Sequence, residues 1–404
     1  MEHEKPGRRT LFILALIFLL ALGLRGSVFV KNMNDMRVSY DPRNYWIMSH
    51  QLVDDGIYGY AYDNPSGTPN ARVMPGYPLF LAAVYKLLGD KYLQITAVRM
   101  LQVIISSLST VLGFYFVRKV FKKDGMALLT ALFIAIYPTY VLSSFMLLTE
   151  TLALFTMLLY FCLLVHALES GKAGINLITG IAFGIHLMIR PALLPLFILP
   201  FIIYFLTGKM SKKDRPLYSF IFQVMGVVIV LAPWWIRNVI TLGRFILTAE
   251  GSGNPFLAGT YPYFQDYFLD VTAEIRSGND TQMAYGIERL LKGLKNETWL
   301  YLKWYTIGKI GYMFQKPYLD KMFAITYIPS YVIHYGILIP GVIGSIIHSI
   351  KNFKAFWFYF YGLVILGLQL MFVPDPRFVY LIMFFIMAGA AHLISSIPAL
   401  IKKR

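Results

Sequence analysis

Long apolar runs alternate along this chain with short basic connections, and only two stretches stay polar for more than a few turns, 31–92 and 237–329. A helix needs roughly 20 apolar residues to cross a bilayer. By that measure about ten spans are predicted, at 11–30, 93–117, 126–146, 149–168, 173–190, 191–207, 216–236, 330–350, 354–373 and 377–398. The expected fold class is all-α: a polytopic integral membrane protein, with residues 1–404 forming a single membrane-embedded unit. The two long polar stretches are its extramembrane segments.

In the first of these, Asp41-Pro42 reads as a helix start, an acid at the cap and a proline at the first helical position. Tyr45, Met48, Ser49, Leu52 and Val53 then recur at helical spacing until Gly56, which predicts an amphipathic helix lying along the membrane surface. Asn64 to Asn70 is turn chemistry, and Pro78 can open a second interfacial helix. The second segment opens on Pro233-Trp-Trp-Ile-Arg237-Asn238, with two tryptophans at headgroup level. A loop at Glu250–Pro255, a helix over 282–296 and an aromatic stretch from Trp299 to Phe314, interfacial or a short extra span, follow.

Composition agrees with the pattern: 57% of the 404 residues are hydrophobic and 14% charged. The net charge of +16 does not imply a nucleic-acid partner, because the basic residues punctuate apolar runs instead of gathering on one soluble face. The positive-inside bias accounts for them. With the amino terminus inside, the inner connections hold Lys5, Arg8 and Arg9; Arg118, Lys119, Lys122 and Lys123; Lys172; Lys209, Lys212, Lys213 and Arg215; Lys351 and Lys354; and Lys402, Lys403 and Arg404. Only Glu2, Glu4, Asp124, Glu169 and Asp214 of the 21 acids fall on that side. The working face is therefore expected away from the cytoplasm of a cell membrane, with both termini cytoplasmic and lipid as the surrounding partner. Ala21-Leu-Gly23 has the form of a signal-peptidase site, but the apolar run continues to Val30 and reads as an uncleaved first span. The single cysteine, Cys162, lies within an apolar run and reads as a core residue.

Asp41 and Glu150 are the carboxylates that this layout singles out as catalytic candidates. Asp before Pro is a common helix cap, and an acid at a helix amino end is favourable, so each has a structural reading beside the functional one. Arg190 and Arg377 stand in short outer turns where the positive-inside bias disfavours cations; snorkelling to lipid phosphate is the plain alternative. With Arg72, Arg237 and Arg244 they form a set able to bind a phosphate from several sides. Convergence of Arg190, Arg237 and Arg377 on one phosphate is expected. Tyr45, Tyr77 and Lys303 are candidates for the substrate pocket. His50 and Asp54, four apart, lack a third metal ligand and read as a surface pair, and His186 reads as a core histidine. No cofactor is called for; a divalent metal is possible but not indicated.

These residues in this order resemble the polytopic GT-C glycosyltransferases, in particular the bacterial branch similar to protein O-mannosyltransferases and the lipid A aminoarabinose transferase. The resemblance rests on Asp41 with Tyr45 and Gly56; Arg72 with Pro75-Gly76-Tyr77-Pro78; Thr149-Glu150; Arg190-Pro191; Pro233-Trp-Trp-Ile-Arg237-Asn238 with Gly243-Arg244-Phe245; and Arg377-Phe378. It implies a GT-C-like fold and inverting transfer of a sugar from a polyprenyl-phosphate donor on the outer leaflet to a glycan, lipid or protein acceptor. It also implies that Asp41 is the general base and that Glu150 occupies the second acidic position. Two positions depart from the pattern: Pro42 stands where a second acid often follows the first-loop Asp, and Phe378 where a Tyr follows the late Arg.

The chemistry such a reaction needs is present independently of the resemblance. One carboxylate must take the acceptor's proton and cations must stabilise the departing phosphate. A transporter or lipid flippase is the competing reading, and such proteins place ionisable groups near the bilayer midplane. An inactive, lipid-glycan binding member of the family is the other.

Overall fold

The structure, a computed structural model, describes residues 5–206, 216–265, 278–318 and 327–401. The inner connection expected at 209–215, the terminal charges at 2–4 and 402–404, and parts of the second polar segment lie outside the described residues.

The described chain is helical throughout, with no strand: α1 (Arg8–Asn32), α2 (Asp41–Asp54), α3 (Gly76–Leu88), α4 (Lys91–Phe121), α5 (Asp124–Ile136), α6 (Pro138–Ser143), α7 (Glu150–Ser170), α8 (Ala173–Ile189), a 3-10 turn (Pro191–Leu196), α9 (Leu199–Leu206) and α10 (Pro216–Leu242). The second polar segment then carries α11 (Gly253–Gly259), α12 (Asn279–Asn296), α13 (Thr298–Lys303), a π-helical turn (Trp304–Gly308) and α14 (Lys309–Phe314). The last three helices are α15 (Tyr327–Lys351), α16 (Phe353–Leu370) and α17 (Tyr380–Ile401), the last entered through a 3-10 turn at Pro376–Val379.

This is an all-α polytopic membrane protein, as the apolar pattern predicts. Among the described residues seven helices are long and apolar enough to cross a membrane. The expected spans 126–146 and 191–207 are shorter pieces instead, and 173–190 is the helix Ala173–Ile189, one residue shorter than expected. Pro138 explains the first of these: it has no N–H to continue the ladder, and Tyr137 before it turns extended (φ −65°, ψ 122°), so α5 stops and α6 begins.

Local signals set several other ends. Asp90 caps α4 by accepting from the backbone N–H groups of Tyr92 and Leu93 at 2.8 and 2.7 Å, and Asn352 caps α16 in the same way. Gly56, at φ +70°, follows α2 where the periodicity predicts its end.

α17 forms the centre of the bundle, with Tyr380, Met383, Phe384, Met387 and Ala388 almost fully buried. Lipid gives no hydrophobic reason for helices to associate, so close backbone approach through small residues matters more. A Cβ on Gly389 of α17 would lie 2.3 Å from the carbonyl of Gly341 on α15, which shows how tightly these two helices cross.

Polar contacts sort the helix ends into two sets. At one end Asp124 accepts from Arg118 Nε at 2.6 Å and from Thr10 Oγ1 at 2.7 Å, and Lys119 pairs with Glu169 at 3.2 Å. This joins the start of α1, the end of α4, the start of α5 and the end of α7. The starts of α2, α7 and α17 and the end of α8 meet elsewhere, around four charged side chains.

Candidate active site

Asp41, Glu150, Arg190 and Arg377 come together from four separate elements. Arg377, in the 3-10 turn that leads into α17, donates from Nη1 to Oδ2 of Asp41 at 2.6 Å and from Nε to Oε1 of Glu150. Its Nη2 also reaches Oε2 of Glu150 at 3.4 Å. Arg190, the residue at which α8 ends, donates from Nη2 to the same Oε1 at 2.8 Å and from Nε to the hydroxyl of Thr149 at 3.1 Å. Among the described residues no partner takes its Nη1.

The two carboxylates differ in exposure. Glu150 is fully buried and holds both guanidiniums, whereas the Asp41 side chain is 43% exposed. Asp41 is itself the first residue of α2, and its side chain makes no cap bond; Tyr40 before it occupies the cap position with φ 55° and ψ −136°. The cap expected of Asp41 is thus absent, and its side chain turns to Arg377. Its second oxygen, Oδ1, accepts from the hydroxyl of Tyr60 at 3.4 Å, and that hydroxyl accepts from Asn44 Nδ2 at 3.0 Å.

Tyr45 and Tyr77 border the cluster. Their rings meet edge to face at 5.3 Å, and Tyr45 meets Tyr60 at 6.0 Å. Burial pushes the Tyr45 hydroxyl up to about 12, partly offset by Arg377. The hydroxyl of Tyr60 is raised by burial and then by the charge of Asp41. Both hydroxyls therefore stay neutral, and that of Tyr60 bonds Asp41 and Asn44. Tyr77 is buried and donates to Oε1 of Gln102 at 3.0 Å.

A Cβ on Gly76 would fall 2.7 Å from the carbonyl of Met188, so only glycine lets the start of α3 rest on the last turn of α8, just before Arg190.

The other arginines of the predicted set are not in this cluster. Arg237 donates to the carbonyls of Tyr58 and Asn70 at 2.8 and 3.1 Å and lies beside the rings of Tyr58 and Trp234. Arg237 thereby joins the two polar segments, while Trp234 and Trp235 tie the end of α10 to the carbonyls of Thr248 and Leu247 in the second. Arg72 lies over the ring of Tyr62, and Arg244 pairs with Glu250 at 2.8 Å. Of the three arginines expected to converge, Arg190 and Arg377 meet on Glu150, whereas Arg237 is directed to backbone carbonyls. Lys303 is exposed at the end of α13.

His186 is a core histidine that meets the Thr156 hydroxyl at 2.9 Å, but the expected surface pair of His50 with Asp54 does not form: His50 is buried, meets Oε1 of Gln94 at 2.8 Å and packs between Trp46 and Tyr85, while Asp54 accepts from Tyr85. Among the described residues no group of three or more His, Cys, Asp or Glu stands where it could hold a metal ion.

Residues 68–236 match the protein family described as dolichyl-phosphate-mannose-protein mannosyltransferase. The matched stretch covers 169 of the 404 residues, holds Arg72, Gly76, Glu150 and Arg190, and ends just before Arg237. No curated protein sequence matches the chain significantly.

Among solved structures, the apo oligosaccharyltransferase of Archaeoglobus fulgidus has a TM-score of 0.59 at 14% identity, over 97% of this chain and 51% of that one. The same enzyme in complex with Zn and sulfate gives 0.50 at 13% identity, over 96% and 49%. ArnT from Cupriavidus metallidurans, bound to undecaprenyl phosphate, gives 0.39 at 13% identity, over 96% and 78%. The likeness to the oligosaccharyltransferase is one of fold, and the chain spans about half of that protein's length. The matched stretch thus contributes Glu150 and Arg190 to the charged cluster, while Asp41 and Arg377 join it from either side.

Sequence reading missed Tyr60 and Asn44, which orient Asp41, and Gln102, which holds Tyr77. Nothing in their local sequence marks the first two. The third lies inside an apolar run, where a buried amide is a signal in itself.

Proposed function

We propose that the chain is an inverting glycosyltransferase that moves a sugar from a polyprenyl-phosphate donor to an acceptor hydroxyl or similar nucleophile at the non-cytoplasmic face of a cell membrane. The observation that carries this reading is the half-exposed carboxylate of Asp41 bonded to Arg377 at 2.6 Å, while Arg377 and Arg190 both bond Glu150. A carboxylate open to solvent beside two anchored guanidiniums is what a displacement at an anomeric carbon needs.

In this mechanism the acceptor O–H gives its proton to Asp41 as its oxygen attacks the anomeric carbon from the face opposite the phosphate. The bond from that carbon to the phosphate oxygen breaks, and polyprenyl phosphate leaves with the electron pair. Arg190 and Arg377 stabilise the charge that grows on the leaving group, their orientation fixed in advance by Glu150. Two carboxylates and two guanidiniums balance one another before substrate arrives. An entering phosphate takes over bonds that Arg377 makes to Asp41 and leaves that carboxylate facing the acceptor. Tyr60 holds its other oxygen, with the Tyr45 ring beside it.

The outer-face assignment rests on charge. Arg118 and Lys119 pair with Asp124 and Glu169, and Glu169 stands at the opposite end of α7 from Glu150; the positive-inside bias favours that end for the cytoplasm. Within the spans, Arg25 bonds the Ser106 hydroxyl and the carbonyls of Ala21, Ile134 and Ala135. A transporter would leave such a group available at the midplane, whereas here it is committed to the Ser106 hydroxyl and to backbone carbonyls, two of them at the end of α5.

Mass spectrometry of lipid that co-purifies with the protein tests the proposal. A polyprenyl-phosphate sugar, consumed by the wild type and retained by Asp41→Asn, is the expected result. Absence of any phosphoprenyl lipid, with no breakdown of added dolichyl-phosphate mannose, would count against it.

A further inference from the structure

α4 crosses the membrane, yet Arg99, Gln102 and Ser106 recur on one of its faces at the i, i+3, i+7 spacing and are buried there. Polar and charged groups at such positions are costly unless fully bonded, so their partners matter.

Arg99 is 3% exposed and bonds two backbone carbonyls from different parts of the chain. Nη1 donates to Asp35 at 2.6 Å and Nε to Phe145 at 3.1 Å, and the guanidinium lies 3.8 Å from the centre of the Phe145 ring. Asp35 is in the connection that ends at Asp41, and Phe145 is in the connection that ends at Glu150. Gln102 donates from Nε2 to the carbonyls of Ser144 and Met146, at 3.2 and 2.7 Å, and accepts from Tyr77. Ser106 donates to the carbonyl of Tyr140 at 3.3 Å. Apart from Tyr140, which lies in α6, the α4 face thus meets irregular backbone whose carbonyls have no helical partner.

We propose that Arg99 and Gln102 are positioning residues, which clamp the connections carrying Asp41 and Glu150 to one rigid helix and so fix the two carboxylates relative to each other. Arg99 is the link between the two connections, and Gln102 secures the second connection together with Tyr77. The planar fork of arginine suits this, because two of its N–H groups point at two separate carbonyls at once; a lysine ammonium on its flexible stem lacks that fixed geometry. The inference rests on reading Asp41 and Glu150 as the working pair.

The test uses the full chain in lipid nanodiscs with Arg99→Lys, Arg99→Met and Gln102→Leu. Hydrogen exchange is measured over 33–40 and 144–148, with 279–296 as reference, alongside breakdown of dolichyl-phosphate mannose. Both Arg99 variants are expected to speed exchange in the two connections by about tenfold or more and leave the reference unchanged. Their kcat is expected to fall by about 100-fold with KM for the donor within about twofold, the pattern of a misplaced reacting pair. Gln102→Leu is expected to loosen 144–148 alone. Unchanged exchange in either connection for both Arg99 variants would overturn the clamp, whatever Asp41→Asn does. Loosened connections together with full turnover in Asp41→Asn would instead remove the reaction reading, and the positioning role with it.

Discussion

Arg377 reaches Asp41 across 336 positions of sequence, Nη1 to Oδ2 at 2.6 Å. The same guanidinium bonds the buried Glu150, so one side chain ties the exposed carboxylate to the fixed one. Arg377→Lys keeps the charge and loses the fork. It is expected to lower turnover of a polyprenyl-phosphate sugar by about 10²-fold, on the scale of losing one preorganised donor to a developing anion. Steady-state kinetics on the purified variant checks this, and wild-type turnover would argue that Arg377 serves only to hold Asp41.

Glu150→Gln leaves Arg190 and Arg377 without their shared counter-charge in a buried setting. Breaking a buried pair by removing one partner costs about 3–5 kcal/mol. A large drop in the thermal midpoint in detergent is therefore expected, with Arg377→Lys much milder because the pairing survives. Equal stability of Glu150→Gln and wild type would mean that the two arginines find other partners.

His50 gives the outer helix α2 a pH dependence. Burial against Trp46 and Tyr85 lowers its ring below the ordinary value of 6.5, with Gln94 partly opposing. Lys91 and Asp54 are the charged groups acting on it, in opposite directions. The unfolded chain then binds a proton that the folded chain refuses, so stability is full above pH 6.5 and is lost as pH falls below it. Thermal midpoints at pH 7.5 and 5.5 are expected to differ more in wild type than in His50→Gln. Identical pH dependence in both would remove His50 as a source.

Much of the site was legible because of where its charges fall. Arg190 and Arg377 stand in short turns where the charge bias disfavours cations, and Asp41 and Glu150 open helices on the acid-rich face; all four meet. Arg237 looked equivalent in sequence. A cation at a span end has the same local signature whether it reaches a phosphate or, as here, the carbonyls of Tyr58 and Asn70. The Asp41-Pro42 start was legible as a helix start, but the cap was not, since tertiary pairing with Arg377 outweighs a local bond. Among the spans, Pro138 divides a run whose apolarity continues on both sides, so hydropathy passes over the break that backbone chemistry imposes. Arg99 and Gln102 escaped notice for the same reason: averaged over 93–117 they vanish, although each is buried and bonded to two carbonyls.

The central claim is that Asp41 takes the acceptor's proton, and Asp41→Asn tests it most directly. The amide keeps the shape of the side chain and can still accept from Arg377, which keeps its charged partner Glu150, so stability should change little. Turnover of dolichyl-phosphate mannose, measured beside the thermal midpoint, is predicted to fall by about 10²–10⁴-fold. An Asn variant that is as stable as wild type and turns over at the wild-type rate would contradict the account.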